Sequence, residues 1–294
     1  MAKESYIMKH MAKIAALVLA LVLVVGLFAG CNNSNSGDSE KKDQLVVVTE
    51  PGFEPFEYTK GNKYLGIDME LAQMLADYLG KELVIKVIDF DTIFETLNTN
   101  GADIGMAGIT VNEKRAKLVN FSETYYNAAQ KVIAKAGDTT FDACTTKEDV
   151  EAILKGFSAD VKIGVQTGTT GNFYVEGDAD FGFDGLAATA VGFTNGSLAV
   201  NAMINGDVDY VIIDEAPADC IVKAVNAQKA DTAAKVIDIQ LTSEEYAFAV
   251  NPNDAELLEK VNAFLKEIKA NGKFDEVCNH YFGDGTPVEI TSAE

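Results

Sequence analysis

Apolar and polar positions along this chain follow two rhythms that replace each other repeatedly. Leu45-Val46-Val47-Val48 is a short continuous apolar run, the pattern of a strand buried on both faces. Ile67, Leu71, Leu75 and Leu79 recur at i+4, with Met74 and Tyr78 alongside. That spacing predicts a helix over 67–79 with one apolar face, stopped by Gly80. Strands are expected over 83–88 and 102–107, with a short helix through Leu97 between them and Asp91 as its N-cap. A second series starts near residue 161, with a strand to 166 and the turn Thr167-Gly168-Thr169-Thr170-Gly171 opening onto a helix. A helix over 197–205, a strand over 208–213 and a helix from about Glu215 continue it. A late strand is expected over 246–250. Leu257, Leu258, Val261, Phe264, Leu265 and Ile268 then mark a helix over 254–270. Strands alternating with helices imply an α/β fold with mainly parallel sheets covered on both faces. Such sheets hold ligands at the carboxyl ends of their strands. No repeat of fixed period is present.

The first thirty residues read differently. Residues 14–29, IAALVLALVLVVGLFA, carry no charge and follow Lys9 and Lys13. The run is shorter than the roughly 20 residues of a spanning helix and ends in small residues, which suits a secretory signal over 1–30 better than a membrane anchor. Leu27-Phe28-Ala29-Gly30-Cys31 resembles a bacterial lipobox, which implies that Cys31 becomes the lipidated first residue of an exported protein. Its expected location is the outer face of the cell membrane, or the periplasmic side. Residues 31–44 are polar and suit a flexible tether.

Composition narrows the chemistry. With 24 Lys+Arg against 45 Asp+Glu the formal net charge is −21, and no basic block exists to meet a phosphate backbone, so a nucleic-acid partner is excluded. A hydrophobic share of 48% in 294 residues can fill two cores and argues against whole-chain disorder. Two His and four Cys occur in no C-x-x-C or H-x-x-x-H spacing, so no metal site is expected. Beyond Cys31, the three cysteines Cys144, Cys220 and Cys278 are an odd number, which leaves at least one unpaired within the chain.

Two segments carry candidate chemistry. In Ala107-Gly108-Ile109-Thr110-Val111-Asn112-Glu113-Lys114-Arg115, Gly108 permits close approach to the backbone. Thr110 offers a hydroxyl and an amide, and Arg115 a planar fork for a carboxylate. Local pattern alone leaves open a capping Thr and a solvated Arg. In Gln166-Thr167-Gly168-Thr169-Thr170-Gly171, backbone amides opening a helix could meet an anion. A plain strand-to-helix turn reads as well, and no Gly-Lys-Ser/Thr follows to make a P-loop.

Together with Thr49–Tyr58, Gly66-Ile67-Asp68, Phe121–Tyr126, Asp209–Asp214 and Asn271-Gly272 leading to Tyr281-Phe282-Gly283, these segments resemble the family 3 extracellular solute-binding proteins. Those are the amino-acid receptors of ABC importers, and the glutamine-binding branch is the nearest pattern. The resemblance implies a two-lobed periplasmic-binding-protein fold of type II, with lobe one over 45–125 plus 247–285 and lobe two over 130–241. Hinges are expected at 126–129 and 242–246. It places the α-carboxylate site on Arg115, the Thr110 amide and the backbone near Thr170, beside Gln166 and Thr169. It places the α-ammonium site on the Gly108 carbonyl, the Thr110 hydroxyl and Asp214. Phe53 and Phe90 match an aromatic pair that sandwiches the side chain, and Glu50 meets its distal end. No cofactor is implied. The expected partners are a free polar amino acid, ABC permease subunits and a lipid anchor in the membrane, with the protein a monomer.

Two departures bear on the ligand. Ile213 stands where the glutamine binder has a His, and Gln166 where it has a Lys, while Glu50 would suit the cationic tail of Lys, Arg or ornithine. Two other classes share the fold. A cyclohexadienyl-dehydratase-like enzyme could draft Asp214, Glu50 or Glu123 as its acid, but no Ser-His-Asp or Cys-His group is evident. A sensory domain would be expected to lead into a second membrane segment, and none follows residue 285.

Overall fold

The computed structural model describes residues 43–228 and 233–293. The expected signal over 1–30, Cys31 and most of the tether lie outside the described residues. Lobe one opens with strands β1 (Gln44–Thr49), β2 (Gly52–Phe53), β3 (Glu57–Lys60) and β4 (Lys63–Leu65), then helix α1 (Ile67–Leu79). It continues through β5 (Glu82–Val87), α2 (Ile93–Asn98), β6 (Ile104–Gly105) and β7 (Asn120–Phe121). The chain crosses by β8 (Tyr126–Ala128) into β9 (Gln130–Lys135), α3 (Lys147–Lys155), β10 (Lys162–Gln166), α4 (Thr170–Glu176) and β11 (Thr189–Phe193). Helix α5 (Gly196–Asn205), β12 (Tyr210–Asp214), α6 (Glu215–Ala227) and β13 (Ala234–Ile237) complete lobe two. The return runs by β14 (Glu244–Tyr246) to β15 (Ala249–Val250), α7 (Ala255–Ala270) and α8 (Lys273–Phe282).

Both lobes are built on one plan. The strand orders are β5-β1-β6-β15-β7 and β11-β10-β12-β9-β13. In each sheet the first three strands are parallel and the fourth is antiparallel to both of its neighbours. That reversed strand is the first one laid down after the chain arrives from the other lobe. The two crossings, β8 and β14, pair antiparallel with Tyr246 opposite Tyr126.

Continuous apolar runs do fill both faces of their sheets. In β1, Leu45 and Val47 pack with Leu71 and Leu75 of α1, while Val48 packs with Ile93 and Leu97 of α2 on the opposite side. In β12, Val211 and Ile213 face one core and Tyr210 and Ile212 another. Helix α1 spans the expected residues and ends at Gly80, whose φ of 70 makes a left-handed cap that a side chain would strain.

Other expectations are corrected. Asp91 is not a cap: a 3₁₀ turn over Phe90–Thr92 begins after Asp89, and α2 begins after Thr92. The strand expected over 102–107 is only β6, because Gly108 turns the chain away with φ 53. The strand expected over 246–250 divides, β14 pairing in the crossing and β15 in the lobe-one sheet. Cys144, Cys220 and Cys278 are all free and half-buried.

Candidate functional site

The carboxyl ends of β1, β6, β10 and β12 converge where the lobes meet, and there they deliver Glu50, Gly108, Gln166 and Asp214. Between the lobes lies a tight cavity of about 10 Å³, room for about one water molecule. Nine of the ten candidate binding residues line it: Phe53, Phe90, Gly108, Thr110, Arg115, Gln166, Thr169, Thr170 and Asp214. Glu50 joins at the side, accepting a hydrogen bond from Gln166 Nε2 at 3.2 Å. Among the described residues, no group of three or more His, Cys, Asp or Glu side chains is arranged to hold a metal ion.

Arg115 is 4% exposed, so the solvated alternative falls. Its Nη1 donates to the Thr110 carbonyl at 2.6 Å and its Nη2 to the Gly168 carbonyl of lobe two at 3.0 Å. A guanidinium has five N–H donors, so three remain for a carboxylate. Its carbon lies 5.3 Å from the Phe90 ring centre and 4.8 Å from that of Phe94. Burial lowers its pKa to about 10, against the raising influence of Glu244 and Asp214; it stays cationic at neutral pH.

Asp214 ends β12 and is 5% exposed. It accepts from the Tyr246 hydroxyl at 2.5 Å. Burial, then the nearby Glu244 carboxylate, pushes its pKa up to about 7. An ammonium placed there would return the carboxylate to its ionised form. The Thr110 hydroxyl donates to Glu244 Oε2 at 2.7 Å, which keeps its own lone pairs available to a cation. Thr169 caps α4 by accepting from Asn172 N and donates to the Gln166 carbonyl. The buried Thr170 hydroxyl and Gln166 Oε1 have no hydrogen-bond partner.

Gly108 is held from behind. Its N–H donates to Asp68 Oδ2 at 2.9 Å, and the Tyr125 hydroxyl donates to Asp68 Oδ1 at 2.7 Å. A Cβ at Gly108 would stand 2.8 Å from Phe53 Cε1, so the bare backbone lets the ring lie against it.

One residue on the cavity wall escaped sequence reasoning. Glu57 is 1% exposed, its Oε2 has no partner, and it lines the same cavity. Burial raises its pKa well above the usual carboxylate range, followed by Asp68, Glu50 and Asp214. Glu57 stands directly opposite Phe53 in the β2–β3 pairing, and opposed residues share a face. Without that register, Glu57 reads as another acidic surface position.

Residues 45–284 match the bacterial extracellular solute-binding proteins, family 3. The chain belongs to that family. Among its relatives is the arginine-binding extracellular protein ArtP of Bacillus subtilis (strain 168), 28% identical over 90% of this chain and 96% of that one. Among solved structures, an ancestral arginine-binding protein bound to arginine superposes with a TM-score of 0.69 at 33% identity, covering 83% of this chain and 100% of the other. The ancestral amino-acid-binding protein AncCDT-1, a precursor of cyclohexadienyl dehydratase, gives 0.66 at 31%, over 81% and 95%. In this family setting the cavity, at the carboxyl ends of strands from both lobes, is the candidate site.

Proposed function

We propose that this protein is the capture component of an ABC-type amino-acid importer and that its ligand is a cationic amino acid such as arginine or lysine. It is exported, held to the membrane through lipid on Cys31, and hands its cargo to permease subunits. The observation that carries the choice of ligand is Glu57, a buried carboxyl with an unpartnered oxygen on the cavity wall. A buried acid without a partner is costly, and a cationic side chain supplies the missing one. Phe53 and Phe90 give the aliphatic stem apolar area and the charge an aromatic face, worth roughly 0.5–2 kcal/mol. Arg115 meets the α-carboxylate, and Asp214 with Thr110 meets the α-ammonium. Glu50, bonded across the cleft to Gln166, adds a further acidic group near the side chain.

Closure uses β8 and β14 as the hinge, with lobe one and lobe two as bounded from the sequence. Because binding residues come from both lobes, ligand favours the closed arrangement through contacts available only there. The resemblance of ArtP, named as arginine-binding, supports this reading. Thermal melts against the common amino acids at millimolar concentration test it. A micromolar ligand adds about 4 kcal/mol, so arginine or lysine is expected to raise the melting temperature by several degrees; no shift with any amino acid contradicts the proposal.

A second reading has one observation behind it, the likeness to AncCDT-1. Asp214 and Glu50, both raised to about 7, could serve as a proton donor to a carboxylated ring. Turnover of prephenate or arogenate would favour it over capture.

A further inference from the structure

Lobe two meets Arg115 and its neighbours with a short segment that the sequence reading did not single out. Asp178 caps the 3₁₀ turn Ala179–Phe181, its Oδ1 accepting from the N–H of Asp180 at 2.9 Å and of Phe181 at 3.3 Å. Backbone hydrogen bonds in both directions between Asp178 and Phe183 close the segment on itself. The capping job uses one carboxylate oxygen. The other, Oδ2, accepts from Lys114 Nζ of lobe one at 2.6 Å, and the Asp178 side chain is only 15% exposed. Lys117 Nζ reaches Asp180 Oδ2 at 3.1 Å in a more exposed second pair. Between these pairs, the Arg115 guanidinium carbon lies 5.4 Å from the Phe181 ring centre. Phe181 is itself held by Phe173, at 4.5 Å between ring centres, and Phe173 lies 4.6 Å under Lys114 Nζ.

We propose that Asp178 and Phe181 are positioning residues that clamp the 114–117 turn across the cleft, fixing the Arg115 guanidinium and setting how fast the closed protein lets go of its ligand. Arg115 thus carries aromatic rings from both lobes, Phe90 and Phe94 from its own and Phe181 from the other. The ring from lobe two and both ion pairs exist only when the lobes are together. They therefore resist opening and do not assist first encounter, so they act on dissociation. An ion pair with a partly exposed lysine is screened by salt, which makes release faster at high ionic strength.

The inference rests on the reading of the cavity as an amino-acid site, and its test separates the two. Asp178→Asn keeps an N-capping side chain while removing the charge; Phe181→Ala removes the ring; Lys114→Ala removes the other end of the ion pair. Dissociation of radiolabelled L-arginine is followed after a chase with unlabelled arginine. Asp178→Asn and Phe181→Ala are each expected to speed release by about two- to five-fold, the range of a partly exposed pair or a single aromatic contact, with association unchanged. Raising NaCl from 50 to 500 mM is expected to speed release from the unaltered protein more than from Asp178→Asn, which keeps only the Lys117–Asp180 pair. Combining Asp178→Asn with Lys114→Ala adds nothing to Lys114→Ala alone, which also takes the ammonium off the Phe173 ring. A purely structural role for Asp178 would lower the melting temperature without reducing the salt effect.

Release rates that match the unaltered protein in both Asp178→Asn and Phe181→Ala overturn the clamp. If the unaltered protein fails to bind arginine, the reading of the cavity fails, and the clamp is read from ligand-free X-ray scattering. A larger radius of gyration for Asp178→Asn, or for the unaltered protein in 500 mM NaCl, supports it; identical radii overturn it.

Discussion

At the scale of single residues, the site is a ledger of buried charge. Among the described residues, Glu57, Asp214 and the adjoining Glu244 stand against Arg115 alone as buried ionisable groups around the cavity, so the pocket holds more acids than bases before any ligand arrives. Truncating one member of a buried charge pair costs about 2–5 kcal/mol. Arg115→Ala should therefore weaken arginine binding by at least about 30-fold, measured by calorimetric titration, and retained full affinity would contradict its role. Glu57→Gln probes the other end of the ligand. It is expected to weaken arginine by at least about tenfold, measured by the same titration; unchanged affinity would contradict the pairing. That Arg115, Thr110 and Asp214 share one cavity wall was legible through the family resemblance of their segments, not through local pattern. Glu57 was not, since its inward direction follows from pairing with Phe53, and a lone glutamate in an acidic chain carries no such mark. Asp178 and Phe181 escaped for a related reason: their partners lie about 64 residues away along the chain.

At the scale of elements, periodicity worked where one face or both faces are apolar throughout. β1, α1, β12 and α7 were legible because burial imposes their pattern. Helix α3 was not, since only Val150 and Leu154 of its nine residues are buried, although Thr146 and Asp149 form a capping box that the sequence displays. The bounds of the two-residue strands β6 and β15, expected as 102–107 and 246–250, were beyond reach, because their ends are set by tertiary turns. The turn after β6 is the decisive one. Gly108 has φ 53 and a ring against the position of its missing Cβ. Gly108→Ala should lower the melting temperature by several degrees, about 1–3 kcal/mol of backbone strain and displaced ring, and should weaken binding further through Phe53. An unchanged melting curve would mean that the turn relaxes freely.

At the scale of the whole molecule, two lobes of one plan meet over groups that change protonation near neutrality. Burial raises Asp68 and Asp214 each to about 7. A carboxyl whose pKa is higher folded than unfolded contributes stability that is complete below its unfolded value near 4 and is lost as pH rises through its folded value. The ligand-free protein should thus lose melting temperature between pH 5 and pH 8, and arginine should cancel much of the loss by meeting Asp214 with an ammonium. The same linkage makes arginine affinity rise with pH over that window, with protons released on binding at pH 6. An affinity that is flat with pH would show that Asp214 does not face the ammonium. The proposed lipid anchor is tested at this scale too. Cys31→Ser should shift the protein from the membrane fraction to the soluble one, read by fractionation; a variant still fully membrane-bound would contradict lipidation.

The most direct test of the central claim compares two ligands that differ in one charge. Calorimetric titration at pH 7.5 with L-arginine and with L-citrulline, its uncharged near-isostere, asks whether buried acids between the lobes select a cationic side chain. The expected result is micromolar or tighter arginine binding, with citrulline at least about 30-fold weaker, the lower end of the effect of unpairing a buried charge. Equal affinity for the two, or no heat with arginine, lysine or ornithine, would contradict it.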